Sequence, residues 1–170
     1  RKFNSTFGET FAIPEPFINK EGKRIMGLDD PAKKMSKSAE NPNNYIALLD
    51  SPETVREKIK SAVTDSGSEI KYDTENKPAI SNLLLIYSLF SKKLISELEK
   101  EYEGKNYSVL KKDLAEVIIE GLSPTQKKYQ ELSANPDHIK KVLRAGAEKA
   151  KIIASQTMTE VREKIGFLEL

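Results

Sequence analysis

The stretch "PAISNLLLIYSLF", Pro78 to Phe90, is apolar on nearly every side of a helical wheel. A helix like that is stable only in the middle of other helices. This stretch therefore demands a bundle, and the flanking sequence supplies one. Ser51-Pro52 opens a helix: the serine offers a capping oxygen, and proline loses nothing at the first helical position. Val55, Ile59 and Val63 follow at a spacing of four. "SKKLISELEKEY" puts Leu94, Ile95, Leu98 and Tyr102 on one face, and Gly104 ends that helix. The next helix is predicted from about Ser108 to Leu132, with a stripe of Leu110, Leu114, Val117, Ile118, Thr125, Tyr129 and Leu132. Pro124 inside it predicts a kink or a boundary. "ANPD" starts a further helix, in which Asn135 caps, Pro136 leads and Asp137 complements the dipole. Its stripe of Ile139, Val142, Leu143, Ala150, Ile153, Ala154 and Val161 runs on to about Ile165. Gly146 lies on or near that face. A mid-helix glycine costs about 1 kcal/mol against alanine, so it predicts close packing against a neighbour.

The first 44 residues have another texture. They hold four of the eight prolines and short apolar runs such as "TFAIPEPFI" and "RIMGL". These predict short extended segments and turns, not long helices. Arg24 to Leu28 reads as one buried strand, with "INKEGK" as the turn before it. The expected fold is mainly α. Residues 1–44 form a short, poorly supported piece with two or three short strands or extended segments, and residues 45–170 form a bundle of about five helices.

Composition narrows the chemistry. The absence of cysteine excludes disulfides, thiolate metal sites and a cysteine nucleophile, and fits a cytosolic protein. His138 is the only histidine, so no mechanism within this chain uses a histidine pair. The net charge of +2 rules out binding nucleic acid by bulk charge and requires local placement instead. "RKFNSTFGETF" has no signal architecture, and no apolar run approaches membrane-spanning length. A soluble chain is expected, and the initial Arg1 suggests a piece of something longer.

One loop carries chemical promise. "KKMSKS", Lys33 to Ser38, lies between Pro31 and the turn-rich "NPNN". Lysine ammoniums bind phosphate as mobile point charges, and serine hydroxyls and backbone N–H groups add directional bonds. Such a loop can close over a nucleotide and place charge where negative charge develops. From residue types alone, a solvated loop is the plainer reading.

The order "KMSKS" at Lys34–Ser38 resembles the signature loop of the class I aminoacyl-tRNA synthetases. "GETFAIPEPFI", "RIMGLDDPAKKMSKS", "IKSAVTDS", "KPAISNLLLIYS", "YEGKNYSVLKKDLAEVI" and "GAEKAKIIASQTMTEVREKIG" extend the resemblance from about Phe3 to Gly166. Together they resemble the C-terminal half of the bacterial tryptophanyl-tRNA synthetases. Several of these blocks are not shared with the tyrosyl enzymes.

The resemblance implies a remnant of a Rossmann-type α/β catalytic domain over residues 1–44 and a helical anticodon-binding domain over 45–170. It implies a parent enzyme that joins tryptophan to ATP and passes the activated amino acid to tRNA(Trp). The ATP-binding residues would be Ile25, Lys34, Met35, Ser36, Lys37 and Ser38. Lys34 and Lys37 would stabilise the leaving pyrophosphate, while the backbones of Ile25 and Met35 would meet adenine. Magnesium would accompany ATP without protein ligands from this chain. Asp29 and Asp30 are turn residues in this reading. The parent family is dimeric and cytoplasmic. The family's histidine-and-glycine motif is absent here, as are its indole-recognising residues, so the chain by itself is expected to be catalytically incomplete. For the tRNA contacts, Lys92, Lys93, Lys111, Lys112, Lys140, Lys141 and Arg144 could touch phosphates, and Tyr107, Tyr129 or His138 could stack on a base. The sequence does not choose among them. Two other readings stay open: a tyrosyl or other class I synthetase, and a non-catalytic helical module that binds RNA or protein.

Overall fold

The computed structural model describes residues 1–18 and 22–167. They are mainly helical and fall into two compact units, Ile18–Tyr129 and Arg1–Phe17 with Gln130–Leu170. Among the described residues, no helix is long and apolar enough to cross a membrane.

The larger unit contains α2 (Pro52–Ser61), α3 (Pro78–Ser91), α4 (Ile95–Glu101) and most of α5 (Tyr107–Ser133). As its sequence demands, α3 is buried almost all round, from Ala79 to Leu84 and again at Ile86 and Tyr87. Val55 and Ile59 of α2, Leu98 of α4, and Leu110, Leu114 and Ile118 of α5 pack into the same core. The Ser51 hydroxyl accepts from the Thr54 N–H at 3.2 Å, which is the expected cap of α2. At the other end of α2, Lys111 Nζ donates to the carbonyls of Lys60 (3.2 Å) and Ala62 (2.6 Å). A cation there satisfies orphan carbonyls and opposes the negative end of the helix dipole. Burial lowers the Lys111 pKa. Two tyrosines bring polar atoms into the core: the Tyr87 and Tyr102 hydroxyls lie 2.9 Å apart, and Tyr102 donates to Asp113 at 2.8 Å. Burial, then these bonds, raise the Tyr102 pKa and keep the phenol neutral.

The smaller unit holds α1 (Lys2–Phe7) and α6 (Pro136–Ile165). Phe3 packs against Phe7 and Phe11, at centroid separations of 4.9 and 5.1 Å. The Asn4 side chain bonds both backbone groups of Phe11. Lys164 Nζ, near the end of α6, reaches the Glu9 carbonyl at 2.6 Å and the Thr10 hydroxyl at 2.7 Å. Asn135 caps α6 by accepting from the His138 N–H at 3.2 Å.

Several expectations need correction. The "RIMGL" segment forms no named strand among the described residues, only an isolated antiparallel bridge between Met26 and Lys34. Residues 2–7 are helical where extended backbone was expected. Of the expected turn, Asn19, Lys20 and Glu21 lie outside the described residues. Val63 falls beyond α2, which ends at Ser61, and is exposed. Pro124 marks no boundary: α5 runs from Tyr107 through it to Ser133. Pro124 and Glu120, whose carbonyl loses its helical donor, are both exposed, which leaves that carbonyl open to solvent. The apolar stripe of α6 is largely uncovered, with Leu143 66% and Ile153 68% exposed and Val161 its one buried residue. A Cβ on Gly146 would meet nothing within 4 Å, so close packing does not explain that glycine.

The buried and exposed leucines should therefore separate in urea unfolding. Leu114→Ala is expected to cost about 2–5 kcal/mol. Leu143→Ala is expected to stay within about 0.5 kcal/mol.

Candidate functional site

The loop at Lys33–Ser38 is built on the bridge. The Gly27 N–H donates to the Lys33 carbonyl at 2.8 Å, and the Met35 N–H donates to the Ile25 carbonyl at 3.0 Å. These two bonds flank Met26 and Lys34 as a narrow, non-hydrogen-bonded pair. The outward backbone groups of Met26 still need partners, and a helix provides them. Asn82 of α3 accepts from the Met26 N–H and donates to the Met26 carbonyl, each at 2.9 Å. Its carboxamide does the work of a neighbouring strand from a position only 5% exposed.

A second buried asparagine fixes the other side. The Asn44 carbonyl accepts from the Leu28 N–H at 2.9 Å. The Asn44 side chain accepts from the Ser36 N–H at 3.1 Å and donates to Asp29. Asn41 also donates to Asp29, at 2.6 Å. The bond from Asn44, then the bond from Asn41, lower the Asp29 pKa against the opposing effect of burial. Gly27 is required by this close packing, because a Cβ there would run into the Asn44 amide. Leu28 continues the connection, its carbonyl accepting from the Val63 N–H at 2.7 Å.

Within this frame the loop's cations differ. Lys33 pairs with Asp30 at 3.1 Å. Asp30 also accepts from the Ala32 N–H at 3.0 Å, so both Asp29 and Asp30 serve the turn. Lys34 and Lys37 are exposed, and among the described residues neither ammonium has a hydrogen-bond or ion-pair partner. Lys37 rides a turn closed by the Ala39 N–H on the Ser36 carbonyl at 3.1 Å. The Ser36 hydroxyl accepts from the Ser38 N–H at 3.2 Å, and the Ser38 side chain is exposed. Two uncommitted ammoniums on an anchored turn can take up an anion bearing several negative oxygens.

Ile25 and Met35 are half-buried. With Ile46, Ile59 and Ile86 they border an apolar cavity of about 180 Å³. Their side chains are thus committed to packing, and any contact with a base falls to their backbones. The Met35 N–H and the Ile25 carbonyl already bond each other, which leaves the Ile25 N–H and the Met35 carbonyl. The family resemblance groups Ile25, Lys34, Met35, Ser36, Lys37 and Ser38, and the fold brings them together. It missed Asn44 and Asn82, which hold them. Asn82 had one available signal: an amide in the most apolar helix of the chain.

Replacing Asn82 by leucine strands both backbone groups of Met26. Hydrogen exchange at the Met26 and Met35 amides should accelerate by at least one order of magnitude, because each of the two stranded groups costs about 1–3 kcal/mol. Unchanged protection there would contradict the anchoring role. Asp29 supplies a pH test. Its pKa is depressed from the ordinary 3.8, so its bonds are fully present above that value and are lost as pH falls through the lowered one. Protection of the Ser36 amide should hold from pH 7 to pH 4 and fall only below that.

A family model for class I tRNA synthetases of the tryptophan and tyrosine type (W and Y) matches residues 1–123. The tryptophan–tRNA ligase of Caldanaerobacter subterraneus subsp. tengcongensis is 52% identical over 99% of this chain and 51% of its own length. That of Bacillus anthracis is 50% identical over 97% of this chain and 50% of its own. The crystal structure of the tryptophanyl-tRNA synthetase from Mycoplasma pneumoniae superposes with a TM-score of 0.88 at 30% identity, over 98% of this chain and 50% of that one. The Campylobacter jejuni synthetase, solved with ADP and tryptophan, gives 0.68 at 36% identity over the same shares. The chain spans about half the length of the relatives it matches. On these grounds, the chain belongs to the class I tRNA synthetases of the tryptophan and tyrosine family.

Proposed function

We propose that this chain is the C-terminal half of a tryptophan–tRNA ligase, with residues 1–44 closing a nucleotide site and residues 45–170 serving tRNA binding. The observation that carries this reading is the pair of uncommitted ammoniums, Lys34 and Lys37, on a turn held by two buried asparagines. Similarity to half of each relative named as a tryptophan–tRNA ligase supports the choice of tryptophan.

In this reading ATP and tryptophan are substrates whose remaining contacts come from the rest of the parent enzyme. Attack of the tryptophan carboxylate on the α-phosphorus forms a P–O bond and breaks the bond to pyrophosphate, which leaves with the electron pair. Lys34 and Lys37 meet the negative charge that builds on the departing oxygens. The Ser38 hydroxyl and the backbone groups of the turn add directional bonds. Catalysis of this kind is mostly positioning and charge stabilisation, so an anchored loop with free cationic tips suits it. The Ile25 N–H and the Met35 carbonyl meet the adenine edge in this reading. In this reading magnesium comes with the triphosphate. The aminoacyl group then passes to tRNA(Trp), held in part by the helices.

The test is tryptophan-dependent pyrophosphate exchange. In the parent enzyme, Lys34→Ala and Lys37→Ala should each lower the rate on the order of 100- to 1000-fold without changing the melting temperature. Loss of less than about tenfold in both would remove the loop from the chemistry. The 170-residue chain assayed alone should show no exchange, because it lacks a second histidine and a glycine-rich phosphate turn.

A further inference from the structure

The larger unit has a second cationic feature. Between α2 and the start of α5 lies a groove of about 350 Å³, within the range of small-molecule sites. Its lining includes four cationic side chains, Arg56, Lys60, Lys111 and Lys112, against a single carboxylate, Glu116. That carboxylate is spent, because Arg56 takes both of its oxygens, at 2.7 and 3.0 Å. Lys111 is spent as well, on the terminal carbonyls of α2. Those carbonyls would otherwise repel an anion, so the Lys111 bonds turn an unfavourable helix end into a neutral wall. Lys60 and Lys112 remain at the exposed edge with no hydrogen-bond or ion-pair partner among the described residues. The interior is apolar. Ala115 is buried, and the half-buried Tyr107 has its hydroxyl tied to Asp65 at 2.7 Å, which fixes the ring. A larger depression lined by Glu69, Glu99, Glu103, Lys71, Lys100 and Lys105 balances its charges and has no such preference for anions.

An apolar cleft with a fixed aromatic ring and free cations at its edge matches one polymer unit: a flat base joined to a phosphate. The geometry points to this groove as the seat of one unpaired RNA nucleotide, its base against Tyr107 and Ala115 and its phosphates held by Lys60 and Lys112. The assignment rests on the tRNA-binding reading above and gives it an address. Of the seven basic residues that the sequence offered for phosphate contact, only Lys111 and Lys112 line this groove, and Lys111 acts structurally. Lys60 was not among them.

The experiment is fluorescence anisotropy of this chain with the tryptophan anticodon stem-loop and with a scrambled loop, across a salt series. Lys60→Ala and Lys112→Ala should each weaken the anticodon hairpin several-fold. Each should also reduce the slope of log affinity against log salt by about 0.7, the value for one single-strand phosphate. Lys23→Ala, outside the groove and exposed, should leave both unchanged. A hairpin with 2-aminopurine at one loop position should change its fluorescence on binding, and the change should be lost in the double lysine variant. If the wild-type chain binds while both groove variants match it, the groove assignment fails and the tRNA-binding reading stands. If the wild-type chain binds neither hairpin, both fail.

Discussion

Everything at the front of the larger unit depends on one side chain lending its amide to a backbone. A single β-bridge has too few hydrogen bonds to hold a segment in water. Residues 24–35 would be such a bridge if Asn82 did not complete the outer bonds of Met26. Because Asn82 sits in α3, the most buried helix, the segment takes its position from the hydrophobic core itself. The cost of burying an amide is offset only when its hydrogen bonds are made, and both bonds to Met26 are made. The geometry is consequently all-or-none: the Met26 backbone docks in one register or loses both bonds.

The same device recurs around the unit. Asn44 ties Leu28, Asp29 and Ser36 together. Gln126 of α5 donates to the carbonyls of Leu48 and Asp50, and Lys58 of α2 pairs with Asp50 at 2.8 Å. Lys58 is 7% exposed, so breaking that pair would leave a buried charge with only the Tyr45 ring, 4.9 Å away, beside it. Lys111 closes the end of α2, and Tyr107 holds Asp65. Asn82, Gln126 and Lys111, all on helices, thus hold irregular backbone of the larger unit among the described residues. Such support suits a loop that must be placed to within fractions of an ångström at its base while its tip stays free.

The helices were legible because their signals are local. The caps at Ser51 and Asn135 and the all-round apolarity of Pro78–Phe90 are read from adjacent residues, and each is found as expected. The loop was legible because its six residues are contiguous. What sequence could not supply was long-range. Met26 and Asn82 are 56 positions apart, and an asparagine in an apolar helix reads equally well as a tolerated defect. The errors share this cause. Placing α6 in the bundle rests on a stripe at helical spacing, yet spacing reports amphipathicity and not the presence of a partner. Gly146 was assigned a neighbour on the same assumption. Pro124 predicts a kink or a boundary from its ring alone, yet it sits on an exposed turn and α5 continues through it to Ser133.

The distribution of lysine partners ties fold and function together. Lys33, Lys58, Lys77, Lys93, Lys111 and Lys164 are committed to carboxylates or carbonyls. Each of these contacts holds structure, at a helix end, a turn or a crossing of two segments. Lys34 and Lys37 sit beside such a committed lysine, in a loop that contains acidic neighbours, and still have no partner among the described residues. Asp29 accepts from Asn41 and Asn44, and Asp30 accepts from Ala32 and pairs with Lys33. Asn82 holds the Met26 backbone and Asn44 holds the Ser36 N–H. The position of the loop therefore rests on neutral amides, and the ammoniums of Lys34 and Lys37 are not needed to hold it.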